Sequence, residues 1–180
     1  ATLDYAEVRR AEELYGAEQG GELAKYYAEE LARYVRSPRR ELNRFVRTRE
    51  YFMARRLVGR RGVRILDCGC GTGTEGILFS LLGAEVVGVD LKRLRLDLAA
   101  ARRDRWSREA GRELRNEYLL ENLFDLGFRD EFVYVWVKEA ISHIHPLPEF
   151  YAFAFRALRP GGELLVTDPN LEEPRTRAKI

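Results

Sequence analysis

The stretch that decides the fold reads Arg64-Ile65-Leu66-Asp67-Cys68-Gly69-Cys70-Gly71-Thr72-Gly73-Thr74-Glu75-Gly76. Val63 to Leu66 is a short apolar run that reads as a buried strand, and the glycines behind it form a turn. From Thr74 to Leu82 the apolar spacing is helical. Glycines let the backbone approach a ligand closely, and the first turn of a helix offers N–H groups with no partner inside the helix. A strand, a glycine loop and a helix in this order make a nucleotide-type binding site. Gly71 to Gly76 matches GxGxxG, with Asp90 about 20 residues on. That pattern alone fits a nicotinamide or flavin enzyme as well as any other.

The discriminating residue is Asp67, which puts a carboxylate at the tip of the first strand. A pyrophosphate would be poorly served there. A ligand carrying an ammonium and a sulfonium would be well served, because opposite charges attract strongly in a partly dry cleft. S-adenosylmethionine is such a ligand. Cys68 and Cys70, one residue apart, suit neither a disulfide nor a zinc site without partner thiols, and read as small residues packing a tight turn.

Outward from this stretch, strands and helices alternate. Val63 to Asp67, Glu85 to Asp90, Glu117 to Leu120, Phe132 to Val137 and Glu163 to Thr167 read as strands. Thr74 to Leu82, Leu91 to Ala110 and Glu149 to Leu158 read as helices, with loops at Asn122 to Phe128 and His143 to Pro148. Arg159-Pro160-Gly161-Gly162 reads as a sharp turn before the last strand. Alternation of this kind predicts an α/β protein with a parallel sheet of about five strands and helices on both faces. Before it, Asp4 to Tyr15, Glu22 to Val35 and Ser37 to Val58 read as helices. They define a helical lid over residues 1–61, ahead of a cofactor-binding domain over 62–180.

Three segments, Ile65 to Gly73, Val87-Gly88-Val89-Asp90-Leu91 and Leu158-Arg159-Pro160-Gly161-Gly162, stand in an order and spacing that resembles the class I S-adenosylmethionine-dependent methyltransferases. The likeness covers roughly Val63 to Asn170, and its nearest look is to the small-molecule branch that includes ubiquinone and menaquinone methyltransferases. It implies a Rossmann-like sheet. It also implies that Asp67 and the loop Gly69, Cys70, Gly71 and Gly73 hold the methionine end of S-adenosylmethionine. Asp90 would take both ribose hydroxyls and Leu91 would pack on the adenine. Asn122-Leu123-Phe124-Asp125 corresponds to the adenine-reading loop, with Asn122 where many relatives have aspartate. Relatives also often read Phe-Asp where this chain has Phe132-Val133, and usually continue with two further strands, for which the residues after Thr167 are expected to leave no room, whether the sequence is shortened, the sheet is minimal or another chain completes it. The open edge of the fifth strand is therefore expected to be covered, by a helix or by a second copy of the chain.

Ligands of open parallel sheets bind beyond the carboxyl ends of the strands, so the segment from Lys138 to Pro146 should face the transferred methyl. His143 and His145 are candidate general bases, and Glu139 is a similar candidate. Asp168-Pro169-Asn170 lies at the same edge. No third ligand accompanies His143-x-His145, so no metal is expected.

The chain has 180 residues, 46% hydrophobic and 33% charged, with a net charge of +2. No run approaches the roughly 18 apolar residues of a membrane span, and no signal-peptide pattern opens the chain, so a cytoplasmic location is expected. Arginine is dense from Arg33 to Arg64, against only Glu41 and Glu50. It reads either as a solvated face or as a basic patch drawing an anionic partner. The function expected is methyl transfer to a small-molecule acceptor, an anionic one among the candidates, with nucleic acid not expected as partner. The alternatives are a nucleic-acid methyltransferase using the arginine patch and a non-catalytic cofactor-binding subunit. A nicotinamide oxidoreductase is the remaining one.

Overall fold

A computed structural model describes residues 49–168. The elements are α1 (Arg49–Leu57), β1 (Arg64–Cys68), α2 (Thr74–Leu81), β2 (Glu85–Asp90), α3 (Arg93–Glu109), β3 (Asn116–Leu120), β4 (Phe132–Lys138), α4 (Leu147–Ala157) and β5 (Leu158–Thr167). Short 3-10 turns at Leu123–Asp125 and Ile141–His143 follow β3 and β4. The helices expected before Arg49 lie outside the described residues.

The strands form one sheet in the order β3-β2-β1-β4-β5. Every pair in it is parallel. Parallel strands covered on both faces must be apolar on both, which explains near-continuous runs such as Phe132 to Val137. Alternation divides the core. Ile65, Val86 and Trp136 meet Phe79 of α2 and Met53 and Leu57 of α1 on one face. Leu66, Val87, Val89, Val135 and Val137 meet Phe150, Phe153 and Ala157 of α4 on the other. On the first face Phe79 and Trp136 pack edge to face at 5.6 Å, a preferred aromatic geometry.

Three expectations are revised. The described part of the N-terminal lid is a core helix: Met53 and Leu57 are 0% and 1% exposed against the sheet. Their apolar spacing reflects packing, and α1 contributes nothing to the cleft described below. The Arg-Pro-Gly-Gly segment does not precede β5 but lies inside it. Phe132 pairs with Leu158 and Tyr134 with Glu163, so β5 makes an excursion between the two pairs, with Gly161 at φ 78°. Finally, α4 begins at Leu147 because Pro148 falls in its first positions, where a missing N–H costs nothing.

Candidate functional site

Strand order reverses between β1 and β4, and open α/β sheets bind ligands outside the carboxyl ends at such a point. A cavity of about 640 Å³ lies there. Gly69 lines it from the end of β1, Asp90, Leu91, Lys92 and Arg95 from the end of β2 and the start of α3, and Glu121 to Phe124 from the end of β3. Glu139, Ala140 and His143 to His145 close it from the end of β4.

Asp90 is the hinge of the glycine loop. Its Oδ2 accepts from the Gly71 N–H at 3.0 Å, and Oδ1 accepts from the Lys92 N–H at 2.9 Å. Each oxygen retains acceptor capacity beyond these bonds. Leu91 is 73% exposed at the rim. Asn122 turns its Oδ1 to the Phe124 N–H at 3.1 Å and so caps the 3-10 turn that buries Leu123.

The loop after β1 touches the loop after β4. A Cβ on Gly69, whose φ is 73°, would lie 2.7 Å from the Ala140 Cβ. Only glycine fits both that conformation and that approach. Gly69 donates its N–H to the Val89 carbonyl at 2.8 Å, and Gly73 donates to the Cys70 carbonyl at 2.9 Å. With Gly71 bonded to Asp90, all three glycine N–H groups hold the loop itself. In this loop, no described hydrogen bond claims the N–H of Thr72 or those of Thr74, Glu75 and Gly76 in the first turn of α2, which carries no side-chain cap.

Asp67, Cys70, Gly71 and Gly73 do not line the cavity. Asp67 is 3% exposed, and its Oδ2 is buried with no hydrogen-bond partner. Burial pushes its carboxyl well above the usual range; Glu75 adds to the rise, Lys138 opposes it and Asp90 adds further. Lys138 is itself ion-paired with Glu75 at 2.5 Å. The Cys70 sulfur packs over β2, 2.8 Å from where a Cβ on Gly88 would be. Burial pushes both thiols up, with the Asp67 charge adding to it. They stay protonated and act as packing.

Across the cavity, the His145 ring is 3.1 Å from the Ser142 carbonyl through Nε2. A carbonyl only accepts, so Nε2 carries the proton and Nδ1 is the basic nitrogen of the neutral ring. His143 is exposed on the 3-10 turn after β4. Glu139 takes a left-handed backbone, φ 52°, and its N–H donates to the Thr167 carbonyl at 2.7 Å, tying the loop to β5. Asp168 receives the Ser142 N–H at 3.4 Å. Among the described residues no group of three or more His, Cys, Asp or Glu could hold a metal ion.

Lys92, Arg95 and Glu121 also line the cavity and were not anticipated. All three lie close to Leu91 or Asn122 in sequence, which was the available signal.

Fold and site together define a Rossmann-like domain with an open cavity at its switch point. Residues 66–166 match the family described as a methyltransferase domain, and the chain belongs to that family. It is 29% identical over 109 residues to a ubiquinone biosynthesis O-methyltransferase of Rhodopseudomonas palustris, covering 61% of this chain and 41% of the relative. To a 24-methylenesterol C-methyltransferase 2 of Oryza sativa it is 32% identical over 127 residues, covering 69% and 34%. Among solved structures, a phosphoethanolamine N-methyltransferase 2 of Haemonchus contortus in complex with S-adenosyl-L-methionine superposes with a TM-score of 0.56 at 28% identity, covering 65% of this chain and 27% of that one. The chain thus spans about two fifths or less of the curated relatives' length.

Proposed function

We propose that this chain is the cofactor-binding and catalytic domain of an S-adenosylmethionine-dependent methyltransferase acting on a small molecule. The observation that carries the reading is the single cavity joining Asp90 and Leu91 to Glu139, His143 and His145 across the Gly69–Ala140 contact. The residues fit the cofactor. Asp90 has acceptor capacity left for two ribose hydroxyls, and Leu91 supplies an exposed apolar wall for the adenine. Leu123 and Asn122 shape the far side, with the Asn122 Nδ2 group unclaimed by its cap. For the methionine end, the Thr72 N–H and the first turn of α2 suit a carboxylate, and the Gly69 carbonyl and the unpartnered Asp67 suit an ammonium. Cys70, Gly71 and Gly73 serve by holding that loop.

When bound, the cofactor supplies a methyl group already activated on a sulfonium. The chain has to hold an acceptor atom in line and exclude water. A hydroxyl or amine acceptor protonated at working pH would lose its proton to His145 through Nδ1 or to His143, with Glu139 the third candidate base. The matched relatives carry names of O-, C- and N-methyltransferases, so the acceptor atom is left to experiment.

Calorimetric titration with S-adenosylhomocysteine and NAD tests the cofactor, with binding expected for the first alone. Asp90→Ala should weaken S-adenosylhomocysteine at least about tenfold through the lost charge-assisted bonds. Unchanged affinity would remove the ribose assignment. Methyl transfer from labelled cofactor to a panel of phenols, amines and carbon acids then tests turnover. For the true base, His→Gln should lower kcat by about a hundredfold while leaving S-adenosylhomocysteine affinity within about twofold.

A further inference from the structure

Behind the glycine loop lies a buried cation that the reaction does not use. Arg102, on α3, is 1% exposed. Its Nη1 donates to the Thr72 carbonyl at 2.6 Å, to the Thr72 hydroxyl oxygen at 3.2 Å and to the Thr74 hydroxyl oxygen at 2.8 Å. Burying a guanidinium is costly unless its donors are satisfied, and a cation beside a helix N-terminus opposes the helix dipole. Neither cost is needed for α3 to pack, because Leu96, Leu98 and Ala99 already bury its apolar side.

We infer that Arg102 is a positioning residue for cofactor binding: it fixes the crest of the glycine loop so that the free N–H groups of Thr72 and α2 receive the carboxylate of the cofactor's methionine end. The loop is then gripped from two sides. Asp90 holds Gly71 from the cavity, and Arg102 holds Thr72 and Thr74 from the rear. Three backbone positions with left-handed φ, Gly69, Gly71 and Gly73, make the loop conformationally permissive, so its shape has to be imposed from outside. Gly73 is a helix cap without a side chain, and the two threonine hydroxyls that could fold back to cap α2 are turned to the guanidinium. The positive charge behind the crest also adds to the attraction for a carboxylate in front of it.

The inference rests on the glycine loop holding the methionine end, and its test separates the two. Arg102→Met, Arg102→Lys and Thr74→Val are titrated with S-adenosylhomocysteine and with 5′-methylthioadenosine, which has the same nucleoside but no amino-acid tail. Arg102→Met should weaken S-adenosylhomocysteine about tenfold, the scale of a lost charge-assisted hydrogen bond, and leave methylthioadenosine within about twofold. Arg102→Lys should recover part of the loss, because one donor and the charge remain. Thr74→Val, which keeps shape and removes one acceptor, should show the same split at smaller size and serves if Arg102→Met does not fold. Equal losses for both ligands would make Arg102 merely structural, and no loss for either would remove it from the site; either result overturns the proposal. If Asp90→Ala also left both ligands unaffected, the site reading itself would fail.

Discussion

Asp67 stands level with Gly88 of β2 and Trp136 of β4 in the centre of the sheet, buried and with one carboxylate oxygen lacking a partner. Its carboxyl is raised, chiefly by burial and next by Glu75, so the folded state binds its proton more tightly than the unfolded chain does. Stability from such a group is complete below the unfolded value near 4 and is lost as pH climbs through the folded one. Asp67→Asn should therefore melt with wild type at about pH 4 and above it by on the order of 3 °C at pH 8. The same variant should bind S-adenosylhomocysteine more weakly if Asp67 meets the ammonium. Greater stability with poorer binding is the signature of a residue retained for its ligand. Asp67 and the glycines stood out as candidates because one short segment carries both their chemistry and their spacing, and Asp90 because it ends the next strand. Arg102 did not. It meets Thr72 and Thr74 only through the packing of α3 on α2, and in sequence it is one arginine in a charged helix.

Among the elements, the β1 to α2 turn depends on a space in β2. Gly88 leaves room for the Cys70 sulfur, and a Cβ there would lie 2.8 Å from it and 3.0 Å from the Tyr118 ring. Gly88→Ala should cost about 1–3 kcal/mol by overpacking. Denaturant unfolding of Gly88→Ala with Cys70→Ala should recover much of that loss, a coupling that a double-mutant cycle measures. Sequence reading took the cysteines correctly as packing residues but could not say against what, since the pairing of Asp67 with Gly88 and of Gly88 with Tyr118 is a matter of register. The excursion in β5 escaped for a similar reason. Proline and two glycines signal a break, yet the pairing of Leu158 with Phe132 keeps the chain in the sheet before the break as well as after it.

At the scale of the molecule, the first 61 residues were read as a lid, and the division after residue 61 remains our proposal. The described α1 belongs to the core. Met53→Ala should cost about 2–5 kcal/mol, and a chain beginning at residue 62 should lose cooperative melting because one face of the sheet is bared. Among the described arginines of the basic stretch, Arg55, Arg60 and Arg61 are exposed and Arg56 and Arg64 half-buried, and Arg56, Arg60 and Arg64 make contacts within the domain. Arg56 lies over Phe52 and bridges to Glu163 at 3.3 Å. Arg60 donates to the Tyr134 hydroxyl at 3.0 Å, and Arg64 bridges to Glu131 at 2.9 Å. These contacts favour a solvated face paired within the domain over a patch that draws an anionic partner. The alternative predicts RNA or DNA binding that falls steeply with salt, and a filter-binding titration should find none.

The reversal of strand order between β1 and β4 also divides the site by sequence. Groups assigned to the cofactor come from the carboxyl ends of β1 and β2 and the segments after β1, β2 and β3, all before residue 126. The candidate bases follow β4, and Asp168 follows β5. On the proposed assignment, acceptor choice and cofactor affinity are written in successive segments of the chain and are open to separate inheritance. A graft of residues 139–146 from a relative with another acceptor should carry over its preference and leave S-adenosylhomocysteine affinity where it was.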